Sequence, residues 1–237
     1  MKKLLKLSLI VVMLSACQLA FAQDDLIREE RKVSGFESVK ATGIASVYLQ
    51  KGDQEKVVVE VNDKIINERL KIDVVARELH IRMEKGDKWE NAKKDLKLKV
   101  YVTYKTLKRL EGSGATSFNA DDQIEADGFR LELSGANNSK LNINAGKLDV
   151  ETSGASNATL SGEADQLMIN SSGASNVKAY DLKAGSVSAE SSGVSNVFVS
   201  VHDRLEVKAG GLSNINYKGE AKVITREVSK MAHVKKQ

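Results

Sequence analysis

Apolar and polar residues alternate with a period of two along much of this chain, which predicts β-strands that bury one face. The pattern is clearest over residues 96–103, where Leu and Val alternate with Lys, Tyr and Thr. It also occurs in the runs 57–61, 70–74 and 79–83. Residues 62–68 fit a short helix or a loop equally well. Strands should therefore dominate this part of the chain.

A five-residue phrase, Ser-Gly-Ala-Ser-Asn, returns throughout the second half of the chain, and its clearest copy occupies Ser153–Asn157. The steps between successive glycines are 21, 19, 19, 20 and 18 residues. A repeat of this period is typical of a solenoid, in which each copy forms one coil that stacks on the next. A degenerate copy at residues 39–49 carries Thr-Gly-Ile instead, so the solenoid is expected to begin there. The repeated glycines are Gly114, Gly135, Gly154, Gly173, Gly193 and Gly211.

Aligning the copies on their glycines produces columns of equivalent residues. The positions six and four residues before the glycine and six after it are apolar in nearly every copy, as at Leu148, Val150 and Leu160. The position directly after the glycine, Ala155 in the clearest copy, is also apolar throughout, and we expect it to point inward with the others. Stacked coils bury such columns as one core. The sequence thus predicts an all-β, right-handed parallel β-helix (solenoid) with coils of about 19 residues, the hand being the usual one for parallel crossovers.

Asparagine lies three residues after the glycine in five of the six copies. Glycine suits a bend with positive φ and asparagine tolerates one, while identical amides stacked ~4.8 Å apart can form a hydrogen-bonded ladder. A polar groove that binds sugars is the alternative use of these side chains. We predict that the glycines and asparagines together form the corner of each coil. The asparagines are Asn138, Asn157, Asn176, Asn196 and Asn214.

A column rich in carboxylates lies three residues before the glycine and should face outward. Like charges repel at ~4.8 Å. Arg109 and Arg130, two residues earlier in their strands, can offset Glu111 and Glu132, whereas Glu151 lacks an adjacent arginine. The row is either a solvated face or a site where a hard cation such as calcium bridges carboxylates. The candidate ligand face consists of Glu111, Glu132, Glu151 and Glu190.

The charge of the chain argues against nucleic acid as a partner. The 36 basic and 32 acidic residues give a formal charge of +4, but three of the lysines lie in residues 1–6, and 33 basic residues remain without them. Such near-neutrality is unlike a nucleic-acid-binding surface. One local excess exists at residues 85–109, with nine basic and three acidic residues. This basic stretch is either a site for a polyanion, such as an acidic envelope glycan, or a solvated strand and loop.

Residue combinations that carry catalysis are missing from the sequence. His80, His202 and His233 are isolated, and no HExxH, Cys–His cluster or GxSxG motif occurs. The calcium-binding β-roll signature GGxGxD is absent as well. We therefore predict no catalytic, cofactor-binding or metal-binding residues.

Residues 1–22 have the features of a secretory signal peptide. Three lysines precede an apolar run at residues 7–16, which is too short for a stable membrane span. The Ala-Phe-Ala at residues 20–22 fits cleavage before Gln23, whereas Leu14–Cys17 resembles a lipobox that would make Cys17 a lipidated residue. The apolar residues 18–22 would be an unusual start for a lipid-tethered linker, which favours cleavage. The sequence predicts export to the periplasm, outer membrane or cell surface, with membrane attachment only through lipid on Cys17.

Several phrases resemble one known family of bacterial exported proteins. They are the opening Val33–Phe36, the phrase Thr42–Ile44, the strand Glu78–Ile81 and the Ser-Gly-Ala-Ser-Asn coils. Through them the chain resembles the auto-transporter adhesin head GIN domain family over residues 33–227. The resemblance implies a β-helical domain on an exported or lipid-anchored envelope protein, frequent in Bacteroidetes, without an established activity. One departure is the absence of the expected proline at residues 103–106.

The sequence and the resemblance together predict the organisation and role of the chain. A signal peptide (1–22) and a linker (23–32) precede a single domain (33–237), which has less regular strands (33–106), regular coils (107–227) and a tail (228–237). The predicted role is a non-enzymatic adhesion or binding module of the cell envelope or surface, with a glycan or an envelope or surface protein as partner. A carbohydrate-active β-helical enzyme and a purely structural envelope protein are the alternatives. The ligand and the oligomeric state remain open.

Overall fold

The computed structural model describes residues 26–84 and 95–237, and these residues form a β-solenoid. Parallel coils of about 19 residues stack on one another, so the predicted all-β parallel solenoid is confirmed. The signal peptide, Cys17 and residues 85–94 of the basic stretch lie outside the described residues. Within those residues, no helix is long and apolar enough to cross a membrane.

The chain has an N-terminal part with shorter strands and one helix, followed by a series of coils built mainly from long strands. The elements are β1 (Ile27–Arg31), β2 (Ser38–Lys51), β3 (Lys56–Val61), α1 (Lys64–Arg69), β4 (Leu70–Val75), β5 (Glu78–Met83), β6 (Leu98–Tyr104), β7 (Arg109–Gly135), β8 (Asn138–Thr152), β9 (Asn157–Ser171), β10 (Asn176–Ser191), β11 (Asn196–Ala209), β12 (Asn214–Lys218), β13 (Lys222–Val228) and β14 (His233–Lys236).

The long strands β8–β11 each run through most of one coil, β7 is longer than one coil, and successive strands pair in parallel at equivalent positions. Asn138 aligns with Asn157, and Asn157 aligns with Asn176. At the C-terminal end, β12 and β13 both pair with β11, and β14 pairs with β12. At the other end, β2 pairs in parallel with β7 and places Gly43 beside Gly114. The solenoid therefore begins at the degenerate copy, as the sequence predicts.

A long insertion separates the first coil from the second. Thr42 and Ser113 are neighbours across β2 and β7 although they are 71 residues apart in sequence. Within the insertion, β5 and β6 lie parallel to the two halves of β2, while β3 and β4 pair antiparallel with β6 and β5. The strand β1 then pairs antiparallel with β3. These antiparallel strands cover the N-terminal end of the solenoid.

Residues 62–68, for which the sequence fits a helix and a loop equally well, contain most of the short helix α1. Asp63 precedes the helix in an extended conformation, and its side chain accepts a hydrogen bond of 3.1 Å from the backbone N–H of Ile66. This N-cap satisfies one of the donors that a helix leaves free at its first turn. The Ile66 side chain is buried in the core, which ties the helix to the strands beside it.

Stacked apolar columns form one core along the solenoid. The columns six and four residues before the glycine and six after it are buried as predicted, apart from exposed Lys108 and half-buried Tyr217. Leu148, Leu160 and Leu167 are each at most 1% exposed. Burial of a leucine side chain contributes about 1.5–3 kcal/mol, so a few such residues per coil account for much of the stability of the stack.

The prediction that the residue after each glycine points inward is wrong. Ala155 and Ala174 are exposed, and Val194 and Leu212 are 58% and 53% exposed. The next residue points inward instead, and Ser156, a serine of that column, is fully buried. Apolar character misled the assignment because the inside of the corner holds polar side chains that form hydrogen bonds there, such as Asn137 and Ser156.

Candidate functional site

A shallow groove runs along one corner of the solenoid across successive coils. One wall is the carboxylate-rich column three residues before each glycine, and the other is a column of serines directly before each glycine. The groove has a volume of about 490 Å³, and we call it the Glu–Ser groove. A second depression, which shares Glu190 and Ser192, continues it toward the C-terminal end. The walls carry Glu111, Glu132, Glu151 and Glu190 on one side and Ser134, Ser153, Ser172 and Ser192 on the other.

Arginines link the carboxylates of the first coils into a network. The Nη2 atom of Arg109 lies 2.8 Å from Oε2 of Glu111 and 2.9 Å from Oε2 of Glu132. Arg130 pairs with Glu132 through Nε and with Glu151 through Nη2, the latter at 2.8 Å. The prediction that Glu151 lacks an adjacent arginine is therefore wrong, since Arg130 reaches it from the preceding coil. Cross-coil stacking makes this pair, and spacing within one strand does not reveal it.

Lysines pair with the carboxylates at the two ends of the column. Lys40 lies 2.7 Å from Glu111, and Lys208 lies 3.4 Å from Glu190. Each of the four predicted glutamates thus has a cationic partner. The wall is close to electrically neutral as a result, although it is rich in hydrogen-bonding groups.

The network holds Glu132 in its ionised form. Partial burial tends to raise the pKa of this carboxyl group, but hydrogen bonds from Arg109 and Arg130 outweigh it and place the pKa below the ordinary value of 4.5. The hydrogen bond to Glu132 in turn raises the pKa of Arg109. A carboxyl group that serves as a general acid needs a raised pKa. The pKa of Glu132 is lowered instead, so this carboxyl group lacks the property that a general acid needs.

The corner beside the groove is built from the Ser-Gly-Ala-Ser phrase. In four of the coils the inward serine hydroxyl donates to the carbonyl of the residue three positions earlier. The pairs are Ser156 to Ser153 and Ser175 to Ser172, both at 2.8 Å, and Ser195 to Ser192 and Ser213 to Gly210, both at 2.7 Å. A buried carbonyl needs such a partner, which is why serine rather than alanine lies inside. The hydroxyl fixes the turn and with it the groove wall.

The corner glycines stack directly on one another. Gly154 and Gly173 have φ angles of +73° and +74°. A β-carbon on Gly173 would lie 2.5 Å from the carbonyl oxygen of Gly154 in the preceding coil. The backbone N–H of Ala174 donates to that same oxygen at 2.7 Å. The corner is therefore a tight column of backbone in which only glycine fits.

The predicted asparagine column lies just past the corner, away from the groove, at the start of each strand. The side-chain amide of Asn176 donates to Asn157 at 3.0 Å, Asn196 donates to Asn176 at 2.9 Å, and Asn214 donates to Asn196 at 3.0 Å. None of these asparagines has a positive φ, so their left-handed tolerance is not what the fold uses. They form a ladder that joins coils, as stacked identical amides do.

The histidines do not come together at a site. His80 lies 2.9 Å from Glu78 on the same strand, and exposed His202 lies 3.0 Å from Asp203. Over residues 26–84 and 95–237, no group of three His, Cys, Asp or Glu side chains is arranged to hold a metal ion. The acidic column is ion-paired with arginine and lysine, which also distinguishes it from a row of carboxylates bridged by calcium.

Sequence reasoning missed the second wall of the groove. Ser134, Ser153, Ser172 and Ser192 line it, although serine beside glycine indicates by itself only a turn. A signal was present, because the position before the glycine is serine in five of the six copies. What the sequence could not show is that this column lies across a groove from the glutamates, since that depends on how the chain bends between the two positions.

Comparison with known proteins identifies a family for this chain and solved structures of similar fold. The profile of the family described as "Putative auto-transporter adhesin, head GIN domain" matches residues 35–221. No curated protein sequence matches the chain. The family match thus covers the insertion, the coils from β2 to β12 and the residues that line the Glu–Ser groove.

Three solved structures of similar fold come from Bacteroides fragilis and Parabacteroides distasonis. A putative adhesin from Bacteroides fragilis has 23% identity and a TM-score of 0.83, with 90% of this chain and 97% of that chain covered. A putative adhesin from Parabacteroides distasonis has 24% identity and a TM-score of 0.67 over the same shares. A structure from the same organism described as a putative lipid binding protein has 17% identity, a TM-score of 0.65 and coverage of 90% and 96%. At these identities the likeness concerns the fold.

Proposed function

Because the chain belongs to the auto-transporter adhesin head GIN domain family, we propose that it is a non-enzymatic surface binding module that holds an extended, neutral glycan in the Glu–Ser groove. The family description suggests an exported or surface protein with a binding role. The observation that carries the proposal is the groove itself, which repeats the same pair of polar walls from coil to coil.

The repeat favours a polymer over a small molecule. Each coil advances the groove by ~4.8 Å and presents another serine hydroxyl and another carboxylate or amide. A linear chain with repeating hydroxyl groups can use these positions one after another. Weak contacts at each coil then add up along the ligand, so affinity should rise with chain length.

The charge of the groove favours a neutral ligand. Glu111, Glu132, Glu151 and Glu190 are balanced by Lys40, Arg109, Arg130 and Lys208. A polyanion would meet the carboxylates, and a polycation would compete with the arginines already bound to them. Sugar hydroxyls can donate to carboxylates and accept from serine and arginine without disturbing these pairs.

The ion pairing also supports a role without catalysis. Glycoside hydrolysis requires one carboxyl group with a raised pKa opposite a second carboxylate. The groove offers a row of carboxylates on one wall, and the pKa of Glu132 within that row is lowered. Such a row suits binding along its length.

The experiment is a length series of neutral oligosaccharides tested by glycan array and calorimetry against the purified protein. Binding that strengthens with chain length and releases no new reducing ends is expected. Ser172→Tyr places a ring in the groove and should weaken binding at least tenfold. Ser186→Tyr, at a position that does not line the groove, is the matched control.

Two outcomes would contradict the proposal. Release of reducing ends that is lost in Glu132→Gln would indicate an enzyme. Failure of the folded protein to bind any neutral polymer would favour a purely structural envelope role.

The route to the surface is a separate part of the proposal and rests on the N-terminal sequence. Mass spectrometry of the mature protein should find a chain that starts at Gln23, as the Ala-Phe-Ala at residues 20–22 predicts. A lipidated Cys17 at the mature N-terminus would instead show a lipid-anchored protein.

A further inference from the structure

An unbroken ridge of apolar side chains runs along the corner of the solenoid. It consists of the residue after the corner glycine in each coil, the column that points outward. Its larger members are well exposed: Ile44 is 44%, Val194 58%, Leu212 53% and Met231 62% accessible. Pairing of Asn214 with His233 places Met231 beside Leu212 and extends the column into the last coil. This corner ridge comprises Ile44, Ala115, Ala136, Ala155, Ala174, Val194, Leu212 and Met231.

Packing within the chain does not explain why the ridge is apolar. The four alanines alone could reflect a tight turn that admits only a small residue. Val194 and Leu212 occupy the same turn with large side chains, so the position has room for any residue. The neighbouring exposed columns are serine on one side and asparagine on the other. Eight apolar residues on an exposed edge therefore indicate a surface that another molecule covers.

We propose that the corner ridge is the interface between two copies of this chain, arranged antiparallel about a twofold axis between the coils of Ala155 and Ala174. Such an interface is isologous, so each contact between two different ridge residues occurs twice, once in each direction between the copies. In this register Ala155 faces Ala174, Ala136 faces Val194, and Ala115 faces Leu212. The proposal does not depend on the ligand of the Glu–Ser groove.

Side-chain size supports the antiparallel arrangement. Along the solenoid the ridge begins with Ile44, continues with four alanines, and ends with Val194, Leu212 and Met231. Reversal of one copy sets Leu212 opposite Ala115 and Val194 opposite Ala136, while Ile44 meets Met231 at both ends and alanine meets alanine only in the two central coils. A parallel pair would instead set four successive alanines against alanines, with the large residues meeting their own counterparts on either side of them. The two ridges would then touch over only part of their length.

Charge supports the same register. The column on the groove side of the ridge begins with Lys40 and Glu111 and ends with Lys208 and Glu227. Antiparallel pairing brings Lys40 toward Glu227 and Glu111 toward Lys208, so charges of opposite sign meet at the ends of the interface. Lys40 also pairs with Glu111, and Lys208 with Glu190, within each copy. In the same column Glu132 would face Glu190, but Glu132 is already paired with two arginines.

The area of the ridge indicates a reversible dimer. Eight coils span seven steps of ~4.8 Å, or roughly 34 Å, and three corner residues cover roughly 10 Å, which gives about 340 Å² per copy. Stable complexes bury about 800 Å² per partner. We therefore expect dissociation constants in the micromolar range, with contributions from the flanking serine and asparagine columns.

Sedimentation equilibrium of the purified chain should show a monomer–dimer equilibrium. Leu212→Glu should raise the dissociation constant at least tenfold, because each dimer contains the substituted contact twice. Met168→Glu is the matched control, since Met168 is also a large exposed residue (40%) but lies off the ridge. A wild-type chain that remains monomeric at high concentration, or equal effects of the two variants, would overturn the proposal.

Exchanging the large and the small residue of one facing pair tests the antiparallel register of the two ridges. Ala115→Leu and Leu212→Ala should each weaken the dimer, the first by a clash and the second by a gap. The double variant should restore it to within about threefold of the wild type, because the large residue then faces the small one again. A double variant that is no tighter than either single variant would contradict the antiparallel register.

Cysteine cross-linking gives a second measure of the geometry. In a Cys17→Ser background, Ala155→Cys mixed with Ala174→Cys should form a disulfide-linked dimer on mild oxidation. Either variant alone should cross-link poorly. Efficient linkage of Ala155→Cys to itself would indicate a parallel pair and overturn the proposal.

Discussion

At the scale of single residues, the corner glycines are the positions that tolerate least change. Gly173→Ala forces alanine into a left-handed conformation and places its β-carbon 2.5 Å from the carbonyl oxygen of Gly154. Strain and displacement together should lower the free energy of unfolding by about 2–4 kcal/mol, measured by urea denaturation. Gly128→Ala is the control, because a β-carbon there would have no neighbour within 4 Å and the φ of Gly128 is outside the left-handed region. Equal losses in both variants would contradict this account.

The corner also shows where a residue pattern misleads. Alanine and serine alternate in Ser-Gly-Ala-Ser, and hydrophobicity alone puts Ala155 inside and Ser156 outside. The structure has the opposite arrangement, because Ser156 satisfies a carbonyl that the turn would otherwise leave unpaired. The glycine period and the buried columns could be predicted since they repeat. The direction of a residue within a turn depends on local hydrogen bonds that composition does not encode.

At the scale of elements, the arginine–glutamate network couples three successive coils. Glu132 has a lowered pKa in the folded protein, so its contribution to stability is fully present above the unfolded value of about 4.5 and is lost as the pH falls through the folded value. The fall in stability of the wild type below pH 4.5 should therefore be steeper than that of Glu132→Gln. Thermal melts between pH 3 and pH 7 measure this difference.

A control substitution distinguishes the effect of protonating Glu132 in the network from general acid denaturation. Glu163→Gln changes an exposed glutamate whose partner, Lys183, is 3.5 Å away and also exposed. This variant should keep the acid dependence of the wild type. If Glu132→Gln and Glu163→Gln give the same profile, the network contributes nothing specific.

The elements before the coils were only partly predictable. Alternation identified strands such as β3 and β6, but their antiparallel pairing depends on partners far away in sequence. The Glu–Ser groove was also only partly predictable. Its glutamates form a column that the sequence shows, but the contact of Arg130 with Glu151, 21 residues away, depends on the pairing between coils. Contacts between coils become visible only once the register is known.

At the scale of the whole molecule, the coils behave as interchangeable units. Deletion of residues 155–173 removes 19 residues and joins Gly154 to Ala174, which restores the corner phrase. Since each coil contacts only its neighbours, β8 should stack on β10 and the protein should remain folded with a modestly lower melting temperature. Circular dichroism during heating should still show one cooperative transition.

A deletion of half a coil provides the contrast. Removal of residues 164–173 joins Glu163 to Ala174 and shifts every later column out of register. This variant should lose cooperative unfolding and aggregate. If both deletions leave equally stable proteins, the columns do not determine how the coils stack.

The insertion between Gly43 and Gly114 has a consequence for the order of folding. Closing a loop of 71 residues costs about 1 kcal/mol more in entropy than closing one of 19 residues. The coils from β7 onward should therefore pair with one another before β2 pairs with β7. Synthesis proceeds in the opposite direction, so β2 emerges early and lacks its long parallel neighbour until much of the chain has been made. The N-terminal part is thus synthesised first but completes its strand pairing late. Its unpaired strand edges are the ones that most need protection while the rest of the chain is being synthesised.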